Sequence, residues 1–566
     1  MKTLFTPDQI KKSRELGARR FYNITNEYDC LKRNAFAYSK SEAVIDTFYG
    51  VEYEKRRRRN WPQVLSEVNL WIFNLMEKGL KKGGFLIVQL PNCIEHWYSY
   101  LAASKIGCWH LSNHVDFGPE ETLQILEHVE PDIAIIVPTW HGRDILGWYK
   151  KYQEEHPGLK HIFVVGDPIP AGTEPVSDLL DGDVKEKYSN EDLDALRLGL
   201  YEPWFLLETA GTTGMPKLII HDSYFFQSHD ICMVERYNYN HYDRCLVLGP
   251  LSGSTPKRWG IAQTVYSGAT TILLTEFIDE DACRLTEEEK ITMWIGIPTL
   301  GERALTGPFA EKYNLGSLRT IASGGAPVSF EVASRLIDKG IKVINAYGTS
   351  ESGGCVVPSF LQSKEELFYS VGKPLEGYDV AIVNSEGNRL PQGETGEVYI
   401  WTVHHGYYRQ PELQKEAWIQ EGPWKGYQRT GDLGYFDEQG NLHIVGRVKD
   451  MILRGAQNIF PKEIEDLLIS YPKIHQVSIV RMPDPVLHEK ACAFVVPKTG
   501  EQFTFEEMIS FLETKGVAKF KYPERLEIVE ELPMTVGGKV SKQILEQNIA
   551  EKLKKEGKMV ANGKSV

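Results

Sequence analysis

The chain has 566 residues, 42% of them apolar and 11% aromatic, and its 64 basic and 77 acidic side chains give a net charge of −13. This length predicts several compact units rather than one core, and the composition excludes global disorder. The acidic balance argues against nucleic acid as the main partner, since phosphate binding needs an excess of Lys and Arg, but a small anionic ligand needs only a local cluster of donors.

The opening MKTLFTPDQIKKSRELG lacks the apolar stretch of a signal peptide. Apolar runs such as 85–90 and 133–137 are far short of the roughly 18 residues of a membrane span, so a cytoplasmic protein without one is expected. The basic run 55–59 reads as a solvated face rather than a nucleic-acid patch. Runs at 85–90, 133–137, 162–165, 204–207, 245–248, 271–274, 293–297 and 343–346 predict buried strands. Between them, 64–78, 95–106, 120–128 and 330–339 carry helical periodicity, the last ending at Gly340. Strands alternating with helices predict an α/β fold of helix-covered, mainly parallel sheets. Residues 376–448 turn to Gly, Pro and short alternating strands, which predict a small distorted β-barrel. From about 450 the pattern is α+β. A helix starts at Pro461, strands follow at 474–480 and 491–496, and Thr504 with Glu507 forms a capping box. The charged end, 551–566, predicts fraying. The expected division is a large domain over 1–448 and a small mobile domain over 449–566. Eight cysteines without a CxxC pair support no zinc or disulfide framework and predict reduced, mostly buried thiols.

The sharpest local signal is Thr209-Ala210-Gly211-Thr212-Thr213-Gly214-Met215-Pro216-Lys217, directly after a predicted strand. Small and hydroxylated residues let a backbone approach an anion and offer N–H and O–H donors, and Lys217 adds a point charge. It is not a Walker loop, which needs Lys directly after the second Gly, followed by Ser or Thr. In order downstream stand Gly324-Gly325-Ala326-Pro327, Tyr347-Gly348-Thr349-Ser350-Glu351, Gly393-Glu394-Thr395-Gly396-Glu397, Tyr427-Gln428-Arg429-Thr430-Gly431-Asp432, Gly446-Arg447-Val448-Lys449-Asp450 and Pro533-Met534-Thr535-Val536-Gly537-Gly538-Lys539.

With these motifs in this order the chain resembles the adenylate-forming superfamily of acyl-CoA synthetases, adenylation domains of peptide synthetases and luciferases. The resemblance implies an ATP-dependent, AMP-forming acid–thiol ligase. An organic carboxylate attacks the α-phosphate of ATP, and the acyl group of the resulting adenylate then passes to the thiol of CoA, or to a carrier-protein phosphopantetheine in the alternative. It further implies that Thr209, Gly211, Thr212, Thr213, Gly214 and Lys217 hold the β- and γ-phosphates, and that Glu351 binds Mg²⁺. Ser350, where the family usually has Thr, keeps a hydroxyl for the α-phosphate. Tyr347 and Gly348 face the adenine, with Gly324, Gly325, Ala326 and Pro327 as the opposite wall. Asp432 takes the ribose hydroxyls and Arg447 is a second nucleotide contact. Lys539 approaches the attacking carboxylate and the α-phosphate. Lys449 marks a hinge, and Arg454 and Gly455 line the pantetheine path. The expected partners are therefore a small carboxylic acid, ATP and CoA, in a monomer or homodimer.

The acyl pocket is expected from 221–260, 294–299, 321–325 and 346–354. The segments GRVKDMILRGAQN and LPMTVGGKVSK resemble aryl-acid adenylating enzymes of the 2,3-dihydroxybenzoate type. Their His-Asn pair is absent from the matching stretch 251–258, which speaks against that substrate, while His221 is placed more as in short- and medium-chain acyl-CoA synthetases. If Lys257 or Arg258 faces the pocket, a second anionic or polar group on the acid is favoured. A surface position or a CoA-phosphate contact is the alternative.

Overall fold

The computed structural model describes residues 26–47, 56–182, 190–196, 198–209, 216–296, 298–324, 330–358, 370–455, 457–534 and 540–557. The chain divides into two compact units, one of residues 1–379 and 400–428, the other of 380–399 and 429–566.

The first unit holds two helix-covered sheets, as the alternation of apolar runs and amphipathic stretches predicts. In the seven-stranded sheet the order is Glu174–Pro175, His161–Val164, Ile133–Ile136, Phe85–Gln89, Trp109–Ser112, Pro203–Thr209 and Lys217–Asp222. Neighbours are parallel except the last pair, an antiparallel hairpin. The nine-stranded sheet runs Lys373–Pro374, Gly353–Val357, Lys342–Thr349, Thr320–Gly324, Met293–Gly296, Arg244–Val247, Thr270–Leu273, Glu42–Asp46 and Arg57–Asn60. Its interior is parallel and both edges are antiparallel. Helix Trp61–Glu77 packs on the edge strands Glu42–Asp46 and Arg57–Asn60 of the nine-stranded sheet and on helix Ile94–Ile106, which packs on the seven-stranded sheet. The former helix starts from a reciprocal Asn60–Gln63 capping box, and the latter stops at Gly107 in the left-handed conformation (φ 73°). Trp61, Trp71, Trp97 and Trp204 are fully buried in this core. All eight cysteines are free and buried, as expected.

The described part of the basic run, Arg56–Arg59, is tied down by carboxylates rather than left as a plain solvated face, and Lys55 lies outside the described residues. Arg57, on an edge strand, donates to Asp46 (Nε to Oδ1, 3.0 Å) and to Glu95 (Nη2 to Oε2, 2.8 Å). Arg58 donates to Glu42 (2.8 Å), Arg59 to Glu67 (2.6 Å), and Arg56 pairs with Glu288 and Glu289. Asp46 is fully buried and also accepts from the Ile94 backbone (2.9 Å), so it ties the edge strand to a helix start. Burial pushes its carboxyl up even with the guanidinium beside it. Arg57→Met leaves two carboxylates uncompensated and should cost about 3 kcal/mol of stability. Urea denaturation measures this, and a loss below about 0.5 kcal/mol, the scatter of an ordinary surface change, would reduce the cluster to surface pairs.

In the second unit the Gly/Pro-rich stretch gives a four-stranded sheet in the order Asp379–Val383, Gly396–Trp401, Gln428–Phe436 and Leu442–Arg447. A five-stranded, mainly antiparallel sheet follows, built around the long hairpin Ile474–Asp484 and His488–Pro497. The helix Pro461–Leu468 starts at its proline, and Phe505–Thr514 has the expected Thr504–Glu507 box. Residues 551–555 do not fray but complete the helix Lys542–Lys555. It buries Leu545, Ile549 and Leu553, spaced four apart on one face, against Val480, Phe494 and Leu532. Among the described residues no helix is long and apolar enough to cross a membrane.

Candidate active site

The expected phosphate loop joins two directly opposed residues. Thr209 ends one strand, Lys217 begins the next, and the two are register partners in the antiparallel hairpin. A loop that returns to its starting point keeps its backbone donors within a small radius, which suits a compact polyanion. Gly211, Thr212, Thr213 and Gly214 lie outside the described residues.

A third segment, 406–410, pairs along the far edge of Lys217–Asp222. The Ile220 amide donates to the Gly406 carbonyl (3.0 Å), Tyr408 donates to Leu218 (2.8 Å), and Ile219 faces Tyr407 in an antiparallel bridge. Gln410 fixes the register from its side chain, accepting from the Leu218 amide (3.0 Å) and donating to the Pro216 carbonyl (3.1 Å). This pairing delivers Tyr407, which the sequence reading missed. Its ring centroid lies 5.4 Å from Lys217 Nζ, and its hydroxyl donates to Glu351 Oε1 at 2.6 Å. Burial, followed by the adjacent carboxylate, pushes the phenol far up, so Tyr407 stays a donor. Lys217 and Glu351, far apart in sequence, thus meet through one tyrosine.

Glu351 sits in a tight turn between Lys342–Thr349 and Gly353–Val357. Two reciprocal bonds set the turn. The Thr349 amide donates to Ser352 Oγ and the Ser352 amide to Thr349 Oγ1, each at 3.1 Å, while the Thr349 hydroxyl donates to Gln428 Oε1 (3.0 Å). Gly348 is required by close approach, because a Cβ there would lie 1.6 Å from the Gly353 carbonyl oxygen. The Ser350 carbonyl contacts His221 Nε2 at 3.1 Å. Burial, followed by the field of Arg258, holds His221 well below the usual histidine range, so its ring is neutral and donates from Nε2. Gly324 ends the strand beside Ala346, next to Tyr347, and a Cβ on it would lie 3.2 Å from Thr255 Oγ1. Gly325, Ala326 and Pro327 lie outside the described residues. Thr209, Gly324 and Tyr347–Thr349 all lie at carboxyl ends of strands in parallel sheets, where open α/β sheets bind ligands.

The expected pocket segments 294–296, 321–324 and 346 lie side by side on neighbouring strands. His221 and the 346–354 turn stand together, but Trp294 belongs to the core, fully buried and donating to Thr286 Oγ1 (2.8 Å). Lys257 and Arg258 are both buried, at 1% and 3% exposure, which removes the surface alternative.

In the second unit Asp432 and Arg447 are cross-strand partners, and Arg447 Nε donates to Asp432 Oδ1 at 2.7 Å. The Thr430 hydroxyl bonds the Val398 carbonyl (2.7 Å) and accepts from the Asp432 amide (3.0 Å). Lys449 lies in the short turn Val448–Asp450 directly after this sheet. Arg454 Nε donates to Glu524 (2.7 Å), and Gly455 takes a positive φ of 60° while its amide bonds Leu487 (2.9 Å). Lys539 lies outside the described residues. Its flanks, Met534 and Val540, close on each other in an antiparallel bridge.

The AMP-binding enzyme family matches residues 31–408, and the AMP-binding enzyme C-terminal domain matches residues 463–539. The chain is 29% identical over 485 residues to a medium-chain fatty-acid–CoA ligase of Escherichia coli (strain K12), covering 85% of this chain and 84% of that one. It is 30% identical over 492 residues to a 2,3-dihydroxybenzoate-AMP ligase of Bacillus subtilis (strain 168), covering 84% and 86%. ATP-bound MatB from Rhodopseudomonas palustris has the same fold, with a TM-score of 0.79 at 23% identity over 93% of this chain and 99% of that one. The motifs, the two-sheet architecture and these likenesses agree, and the chain belongs to the AMP-binding enzyme family.

Proposed function

We propose that the protein is an AMP-forming acid–CoA ligase. The observation that carries this reading is the meeting of Lys217, Tyr407 and Glu351 at the foot of the 209–217 loop. In the first step a carboxylate oxygen attacks the α-phosphorus of ATP, and pyrophosphate leaves. In the second the CoA sulfur attacks the acyl carbon, and AMP leaves. Two anions meet in the first step, so the site needs positive charge and oriented donors where charge builds up. Thr209, the loop and Lys217 supply these for the β- and γ-phosphates, and Ser350 and Lys539 for the α-phosphate and the attacking carboxylate. Tyr347, with Gly324 opposite, flanks the adenine. Asp432, held by Arg447, accepts from the ribose hydroxyls. Lys449 serves as the hinge of the small domain, 449–566, and Arg454 and Gly455 lie on the pantetheine side.

Among the described residues no three His, Cys, Asp or Glu side chains gather into a metal cage. Mg²⁺ needs none, because it takes one or two carboxylates and fills its shell with water and substrate phosphate. Glu351, with one oxygen fixed by Tyr407, fits that part and would place the cation's charge among the phosphates.

The test is to offer purified protein ATP, Mg²⁺, CoA and a panel of aliphatic, alicyclic and aromatic acids, and to measure pyrophosphate, AMP and thioester. Acid-dependent AMP with a CoA thioester supports the reading, and AMP from no acid overturns it. The 30% identity to a 2,3-dihydroxybenzoate-AMP ligase favours one second reading, transfer to a carrier-protein phosphopantetheine. Thioester on a carrier but not on free CoA would select it.

A further inference from the structure

Lys257 and Arg258 are adjacent and buried, yet their surroundings differ. The ammonium of Lys257 lies 4.7 Å from the Phe205 ring centroid, in the field of Glu208. Burial draws the lysine down to about 7 and pushes Glu208 up to about 8, each partly offset by the field of the other. Arg258 has no such counterpart. It opens the π-helical turn Arg258–Ala262, inserted between the helical segments Ser254–Lys257 and Gln263–Ser267. Such turns redirect side chains and recur at functional sites. Its guanidinium lies 4.2 Å from the Phe225 ring centroid and 5.4 Å from that of Phe226. Nε and Nη1 are buried and have no hydrogen-bond partner.

Among the described residues no acid makes an ion pair with it. Asp230 is fully buried, makes no ion pair with Arg258 among the described residues, lies 3.5 Å from His229 Nδ1, and is pushed well up by burial against the opposing field of the guanidinium. Glu27 is pushed up to about 7 and already accepts from Ser223 (2.8 Å). A guanidinium cannot shed its proton as a lysine can, so a buried and unpaired one is costly until an anion reaches it. The rings of Phe225 and Phe226 offset only part of that cost and leave the two N–H groups unbonded.

Position identifies where the anion comes from. His221, which touches the Ser350 carbonyl beside Glu351, stacks on Phe225 with centroids 4.0 Å apart and planes 15° from parallel. Arg258 also lies over Phe225. Two flat groups at those separations cannot share one ring face, so His221 and Arg258 sandwich Phe225. The guanidinium therefore stands two stacking layers from the residue that touches the Glu351 turn. It also packs on that turn's outgoing strand, since a Cβ on Gly353 would lie 1.8 Å from Nη1. Other buried polar groups lie nearby. The His229 ring lies against the Gly354 backbone, and the buried Tyr378 hydroxyl interacts with Arg258 itself.

We propose that the acid activated by this enzyme is a dicarboxylate, one carboxylate reacting at the Glu351 turn and the other held by the Arg258 guanidinium across the Phe225 ring. The inference rests on the acid–CoA ligase reading and narrows it. Steady-state AMP release is compared for matched pairs: succinate against butyrate, adipate against hexanoate, and the three benzenedicarboxylates against benzoate. In the wild type, kcat/KM for at least one diacid is expected to exceed that of its monoacid partner by about 100-fold, the scale set by a buried charge-assisted pair. In Arg258→Met that ratio is expected to fall to about one, with thermal unfolding checking that the variant is folded. Wild-type protein that favours the monoacid in every pair overturns the proposal whether or not the variant folds. A folded variant that keeps the diacid preference overturns it too, because another group is then reading the second carboxylate. AMP from monoacids alone sinks only this inference. AMP from no acid sinks the ligase reading along with it.

Discussion

Glu351→Gln should lower the rate of acyl-adenylate formation by about 100- to 1,000-fold, the scale of removing one preorganised charge from a phosphoryl-transfer site. The exchange keeps the size of the side chain, and the amide oxygen can still accept from the Tyr407 hydroxyl, which now bonds Oε1 at 2.6 Å. The turn should survive, because Thr349 and Ser352 hold it without Glu351. What goes is the negative charge proposed to hold Mg²⁺, so the variant should also need more magnesium to reach half its own maximal rate. Tyr407→Phe is the complementary change. It leaves the carboxylate charged but unanchored, and should cost about 10-fold, the worth of one hydrogen bond to a charged acceptor. Stopped assays of pyrophosphate release over a magnesium titration separate the two. If Glu351→Gln keeps the wild-type rate and magnesium dependence, the Lys217–Tyr407–Glu351 contact only supports the turn.

Most of the large unit was legible because its strands are continuous apolar runs and its helices have one apolar face. Both periods survive any tertiary arrangement. What escaped depends on pairing between distant segments. The strand Lys217–Asp222 has only Leu218, Ile219 and Ile220 as an apolar run, and it becomes a strand by lying between Pro203–Thr209 and the 406–410 segment. Tyr407 carries no local sign of its role, since it reaches Glu351 only because its backbone docks beside Ile219. Thr320–Gly324 is a strand in which only Ile321 is a large apolar residue, so it gives no apolar run. Arg258 was visible as a charge, but its burial was not, because the π-helical turn that aims it has no sequence signature. In the second unit the pairing of Asp432 with Arg447 follows from a cross-strand register that spacing alone does not fix.

The two half-reactions should come apart in Lys539→Ala. Adenylate formation, read as pyrophosphate release, is expected to fall about 1,000-fold, because the first step brings a carboxylate to an α-phosphate and the ammonium offsets their repulsion as the new bond forms. Thioester formation from a supplied acyl-adenylate should stay within about 3-fold of wild type, since its nucleophile is a thiol and its leaving group, AMP, is already in place. The substitution should leave the small unit folded. The flanks of residue 539 are closed by the Met534–Val540 bridge and by the Ser541 amide bonded to the Pro533 carbonyl at 2.7 Å, all backbone contacts that no side chain at 539 supplies. Unfolding of the variant at the wild-type temperature would verify this. Equal loss of both half-reactions in a folded variant would mean that Lys539 acts on the bound nucleotide throughout the cycle rather than on the joining of acid and phosphate. The assignment of Lys449 as a hinge between two working positions would then lose its reason.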